Sequence, residues 1–138
     1  MAKARKRQVA ALPFRRVDGR LEILLVTSRE TRRLVIPKGW PMDHYVDYNA
    51  ARQEAFEEGG IEGRMTRKSL GRYEYEKRSQ GGAPRRISVD VYACAVKTLL
   101  RDWPERHERQ RHWFPAQEAA ELVHEKGLRK LILKLARR

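Results

Sequence analysis

The chain has 138 residues, a natural size for one domain, and its 41% hydrophobic content is enough to build a single core. Its 31 Lys and Arg against 18 Asp and Glu leave a formal net charge of +13, a field that attracts anions without choosing among nucleic acid, an acidic membrane and a polyphosphorylated small molecule. No apolar run is long enough to span a membrane, Met1 to Gln8 lacks the apolar stretch of a secretory signal, and the lone Cys94 excludes an internal disulfide. A single domain over residues 1–138 is expected, with a basic, flexible segment at 1–7, a cytoplasmic location and no membrane partner.

In chain order, Gln8 to Phe14 and Leu21 to Thr27 read as strands joined across the turn signal Asp18-Gly19, and Leu34 to Ile36 continues the sheet. Val35-Ile36-Pro37-Lys38-Gly39-Trp40-Pro41 reads as a strand turning into a loop. The spacing predicts a helix over Tyr45 to Glu58, capped by Asp47 and stopped by Gly59-Gly60. Ser69 to Lys77 and Ile87 to Val96 read as strands separated by the Ser79–Pro84 loop, with Cys94 as a buried strand residue. After a short strand at Arg111 to Phe114, Pro115 begins a helix to about His124. Gly127 then separates it from Leu128 to Ala136, whose Leu128, Leu131, Ile132 and Leu135 share a face that should pack on the domain.

The most informative residues are Glu54, Glu57 and Glu58. Helical i,i+3 and i,i+4 spacing places the three carboxylates on one face, where they repel unless a cation joins them. Hard oxygen ligands suit Mg2+, with Mn2+ as a second candidate. A strand, a Pro- and Gly-bearing loop, an acidic helix and a Gly stop together form a compact site module.

The segment from Gly39 to Ile61 resembles the Nudix box, G-x5-E-x7-R-E-U-x-E-E-x-G-U with U aliphatic. Gly39, Glu54, Glu57, Glu58, Gly60 and Ile61 fall in register, and Ala55 fills an aliphatic position. Two positions depart: Tyr45 stands where the pattern has Glu, and Gln53 where it has an Arg that orients the box carboxylates. Gln53 can hydrogen-bond but carries no charge. The likeness covers most of the chain, from about Lys6 to Lys126. Leu24 to Arg29, Arg33 to Pro37, Leu99 to Glu105 and Arg109 to Phe114 are similar to the diphosphoinositol polyphosphate phosphohydrolases within that family.

The resemblance implies an α/β/α sandwich with a central mixed sheet and a metal-dependent hydrolase. Glu54, Glu57, Glu58 and the Lys38 main-chain carbonyl are the implied metal ligands. Glu57 or Glu58 is the preferred general base, and Glu74, Glu76 and Asp90 are candidates outside the box. Implied substrate contacts are Lys6, Arg7, Ser28, Arg29, Arg85, Arg86, Arg109 and Lys126, and guanidinium groups suit phosphate oxygens. Trp40 is the best placed aromatic for the site. The expected partner is a polyphosphorylated small molecule, such as a diphosphoinositol or dinucleoside polyphosphate, with nucleic acid a lesser candidate and a monomer or homodimer as the assembly. Two alternatives stand beside this reading: hydrolysis of another nucleoside diphosphate derivative or an RNA 5′ end, and a catalytically impaired module that binds RNA or another polyanion.

Overall fold

The computed structural model describes residues 6–77 and 81–138, so part of the expected 79–84 loop lies outside the described residues. Strands β1 (Lys6–Val17) and β2 (Arg20–Thr27) form a hairpin in which Val17 pairs with Arg20. Its turn needs two left-handed residues, and Asp18 and Gly19 supply them at φ 52° and 78°. Short strands β3 (Leu34–Val35) and β4 (Lys38–Gly39) lead to helix α1 (Asp47–Gly59). Then come β5 (Ile61–Met65), β6 (Gly71–Lys77), β7 (Arg85–Leu99), β8 (Arg111–Pro115), α2 (Ala116–Leu122) and α3 (Lys126–Ala136).

The sheet runs β3-β2-β1-β7-β5, with β4 on β1, β6 on β7 and β8 on β2. It is mixed, because β1 and β7 are parallel and their neighbours antiparallel. Strand alternation divides the core between two faces. Val9, Ala11, Leu24, Tyr92 and Cys94 point to one face with Ala50, Ala51 and Ala55 of α1. Ala10, Leu12, Ile23, Leu25, Val91 and Ala93 point to the other, under Ala119, Leu128, Leu131, Ile132 and Leu135 of α2 and α3. The architecture is therefore an α/β/α sandwich. Because the buried face of α1 is mostly alanine, its backbone lies close to the sheet and its glutamates stay near the sheet's polar end.

The structure corrects several expectations. Lys6 and Arg7 begin β1 and do not belong to a preceding flexible segment. Val46 occupies the N-cap of α1 without a side-chain bond, and Asp47 instead accepts from Arg7 at 2.8 Å. Pro115 ends β8 and caps α2 without entering it. Gly127 lies inside α3, where a Cβ would stand 2.6 Å from Tyr73 Cβ, so the glycine permits close packing of this helix on β6. Strand β5 was not anticipated. Its alternation is interrupted by Gly63, whose missing Cβ would meet the Ala95 carbonyl oxygen at 2.4 Å, beside a register shift at Glu62/Gly63. Cys94 is fully buried, and burial pushes its thiol up to about 11, which suits a core residue and opposes a nucleophilic role.

Candidate active site

Helix α1 ends where its carboxylates are needed. Gly60 takes the left-handed conformation at φ 61° and returns its N–H to Phe56 O at 2.9 Å. The last carbonyls of the helix would otherwise lack partners. The segment between β7 and β8 supplies them: Glu105 N donates to Glu57 O at 3.1 Å, Trp103 Nε1 to Glu58 O at 3.0 Å, and Arg111 Nη1 to Gly59 O at 2.6 Å. Leu100 N reaches Gly60 O at 2.8 Å, and the Arg111 guanidinium stacks 4.0 Å from the Trp103 ring centre. Arg111 is therefore committed to backbone carbonyls.

The three glutamates are held differently. Glu54 passes directly against Gly39, where a Cβ would stand 2.0 Å from Glu54 Oε2. That approach explains the glycine without any appeal to an unusual backbone angle. Burial, followed by the negative charge of Glu57, pushes Glu54 up to about 7, and a hydrogen bond shared with Glu58 offsets part of this. Burial also pushes Glu58 up to about 8, although Arg109 and Lys38 both favour its charged form. Glu57 accepts a bond from Gln53 Nε2 at 2.8 Å. The amide at the departing position thus orients a box carboxylate from one turn away.

A cleft of about 480 Å3 opens beside Glu54 and Glu58, lined also by Gln8, Ser28, Arg29, Lys38, Trp40, Tyr75, Lys77, Glu105 and Arg109. Arg109 is a framework member: its Nε donates to Glu105 Oε1 at 2.6 Å, its Nη1 to Thr27 O at 3.0 Å, and its Nη2 lies 3.7 Å from Glu58 Oε1. The Arg109 and Glu58 side chains are only 10% and 8% exposed, so this charge pair is shielded from water. Lys38 Nζ lies 5.2 Å above the Tyr75 ring, and burial lowers its pKa against the attraction of Glu58. Tyr75 in turn donates to Gln8 Oε1 at 2.7 Å.

Of the remaining expected contacts, Ser28 and Arg29 line the cleft. The Ser28 hydroxyl is 2.5 Å from Thr31 Oγ1 and accepts from Arg33 N at 3.0 Å, while Arg29 lies 3.6 Å from Glu108. Lys6 reaches the rim, 5.9 Å from the Trp40 ring centre, and Lys77 lies 5.2 Å from the same centre. Arg7 turns to Asp47 and Asp90, at 2.8 and 3.2 Å. Arg85 pairs in register with Lys77, Arg86 binds Glu74 at 2.7 Å, and Lys126 is exposed at the start of α3; none of these three lines the cleft. Asp90 is tied to Arg7 and Arg72, and neither it nor Glu74 nor Glu76 lines the cleft. Sequence reasoning passed over the fourth carboxylate, Glu105, and the side chain of Lys77. Glu105 carried a signal in Trp103-Pro104-Glu105, but only the fold brings that segment against α1.

This donor set fits a hard divalent cation. Glu54 and Glu58 are neighbouring carboxylates whose ionisation is unfavourable in the protein alone, and a cation reverses that preference. Among the described residues no three His, Cys, Asp or Glu form a ready coordination cluster. Two carboxylates nevertheless suffice for Mg2+, which usually retains several waters, and Glu57 stands at their flank on Gln53.

A family model described as the NUDIX domain matches residues 4–135. The chain belongs to the Nudix family. Among curated relatives, diphosphoinositol polyphosphate phosphohydrolase 3-beta of Bos taurus is 33% identical over 139 residues, covering 93% of this chain and 79% of the relative. Nudix hydrolase 12, mitochondrial, of Arabidopsis thaliana is 36% identical over 110 residues, 75% of this chain, but that match takes in only 52% of the relative. The chain thus spans about half the length of some of the plant Nudix proteins it matches. The Nudix fold itself is shared with the E. coli dihydroneopterin triphosphate pyrophosphohydrolase, at a TM-score of 0.71 and 17% identity, with 97% and 98% of the two chains covered. The C. elegans Ap4A hydrolase gives a TM-score of 0.65 at 17% identity, covering 96% of each chain.

Proposed function

We propose that this Nudix protein is a divalent-metal-dependent pyrophosphohydrolase that cleaves a phosphoanhydride bond in a polyphosphorylated small molecule. The observation that carries this reading is the pairing of half-buried Glu54, set against Gly39, with buried Glu58 at the base of a cleft whose rim is cationic. Such a site joins a place for a divalent cation to a place for phosphates. Glu54, Glu57, Glu58 and the Lys38 carbonyl would hold Mg2+ or Mn2+, which when bound neutralises phosphate charge and lowers the pKa of water. The chain's own residues do the rest. Arg109 holds Glu58 and Glu105 in place, Gln53 holds Glu57, and Glu57 or Glu58 receives the proton of the attacking water. Lys38, Lys77, Arg29 and Lys6 attract and orient the phosphates, with Trp40 forming the wall between the two rim lysines.

Among substrates, a diphosphoinositol polyphosphate is favoured. The relative carrying that activity in its name matches nearly the whole chain, while the Ap4A hydrolase likeness concerns fold. A dinucleoside polyphosphate is the second choice, because the 43% exposed Trp40 offers a face for a base. Phosphate release should be measured with Mg2+ and with Mn2+ over inositol pyrophosphates, dinucleoside polyphosphates and nucleoside diphosphate derivatives. The expected result is metal-dependent release, greatest with an inositol pyrophosphate. No turnover on any member would overturn the enzyme reading.

The departure at position 53 yields its own prediction. Removing the bond to Glu57 with Gln53→Ala should lower kcat about tenfold, the scale of one hydrogen bond to a charged group. Gln53→Arg, which restores a donor and adds charge, should keep or raise kcat. Equal rates for all three proteins would show that the Gln53–Glu57 bond plays no part in turnover.

A further inference from the structure

A second concavity is larger than the catalytic cleft. A groove of about 980 Å3 lies on the other side of α1, lined by Tyr48, Asn49 and Arg52 of the helix, Gly63 to Met65 of β5, the Thr66–Leu70 turn, and Ala95 and Lys97 of β7. Helix geometry separates the two sites, since Tyr48, Asn49 and Arg52 project roughly opposite to Glu54, Glu57 and Glu58. Strand β5 ends the sheet order, so the groove follows a sheet edge.

Its charge is one-sided. Five cations, Arg52, Arg64, Arg67, Lys68 and Lys97, line it from α1, β5, the turn and β7 and are exposed; Arg138 also lines it, and the lining contains no Asp or Glu. Glu62, the acidic residue of β5, lies outside the lining. None of the five cations enters an ion pair among the described residues, whereas Arg7, Arg15, Arg72, Arg86 and Arg109 are all paired. Guarding an edge strand against another strand takes one or two charges of either sign. Five unpaired charges of one sign, drawn from four separate elements, go well beyond that. Half-buried Phe14, Tyr48 and Met65 add apolar surface among them.

We propose that this groove binds single-stranded nucleic acid, with the five cations tracking successive phosphates and the apolar patches meeting base faces. A membrane fits poorly, because a flat anionic surface cannot reach cations arranged around a concave edge. A compact phosphorylated ring would leave the outlying cations unused. The site is remote from the catalytic carboxylates and is read without turnover, so it stands or falls separately from the hydrolase proposal.

Fluorescence anisotropy with a 5′-labelled 12-nucleotide oligouridylate tests it. With five phosphates engaged, log affinity should fall against log salt with a slope of about −3.5, from roughly −0.7 for each contact on a single strand. Arg64→Ala/Arg67→Ala should weaken binding at least about tenfold and reduce the slope by about 1.4. Lys6→Ala/Lys77→Ala, at the catalytic rim, should leave binding intact, and a 12-base-pair RNA duplex should compete less well than the single strand. Unchanged affinity and slope in the groove variant would overturn the proposal, as would loss of binding in the rim variant. Equal competition by duplex would overturn the single-strand assignment. Binding to phosphatidylserine vesicles with none to the oligonucleotide would replace the partner altogether.

Discussion

Replacing Glu58 with Gln should cut metal-dependent phosphate release by about 10^3-fold, a loss of about 4 kcal/mol in transition-state stabilisation, and at the same time make the metal-free protein more stable at pH 8. The two effects have opposite signs because they arise from one cause. Glu58 is held charged only at a cost, and burial raises its carboxyl to about 8 even with Arg109 and Lys38 nearby. For a carboxyl raised on folding, the contribution to stability is fully present below the ordinary value of 4.5 and is lost as pH rises through about 8. Gln removes that pH-dependent contribution and retains the side-chain volume. The Tm difference between the variant and the parent, both with chelator, should therefore be near zero at pH 4.5 and grow in favour of the variant up to pH 8. Arg109 keeps Glu105 and the Thr27 carbonyl, so the substitution does not strand a buried guanidinium. Added Mg2+ should reverse the order at pH 8 by stabilising the parent alone. If turnover survives in the variant, Glu58 has no catalytic part. If the Tm difference is flat with pH, the carboxylate is not strained by burial in the way described.

That coupling of strain and chemistry also explains what could be read in the chain before its fold. Glu54, Glu57 and Glu58 announced a shared helix face because i,i+3 and i,i+4 spacing is a local property, and the Asp18-Gly19 turn was legible for the same reason. Helix α1 was harder to delimit by amphipathicity, since Ala50, Ala51 and Ala55 are weakly hydrophobic although fully buried. Residues whose roles depend on distant partners could not be assigned locally. Arg7 and Arg109 read as free phosphate ligands, yet the fold gives them Asp47, Asp90, Glu58 and Glu105, up to 83 positions away. A guanidinium looks the same in sequence whether it faces phosphate or a carboxylate. The Leu99 to Glu105 segment carried a family signal but no physical meaning until Trp103 was seen closing the end of α1.

The largest stability effect should come from Arg111, because its guanidinium joins the carbonyl of Gly59 at the end of α1 to that of Leu100 beyond β7. Arg111 Nη1 donates to Gly59 O and Nη2 to Leu100 O, both at 2.6 Å, and the guanidinium face covers Trp103. Arg111→Leu keeps much of the aliphatic volume but removes two short charge-assisted bonds. At 1.5–3 kcal/mol for each bond to a charged group, and allowing water to rehydrate the freed carbonyls, a loss of about 3 kcal/mol is expected. That corresponds to a fall in Tm of roughly 10 °C for a domain of this size. Arg111→Lys should recover less than half of it, since one ammonium cannot reproduce a planar fork across two carbonyls. The catalytic consequence follows from position. Gly59 O lies one residue beyond Glu58, so loosening the helix end should lower kcat about tenfold even at temperatures where the variant is fully folded, while KM changes little. Chemical denaturation and steady-state rates at 15 °C separate the two effects. A stable variant with full activity would show that Trp103 and the Leu100 amide alone hold the end of the helix.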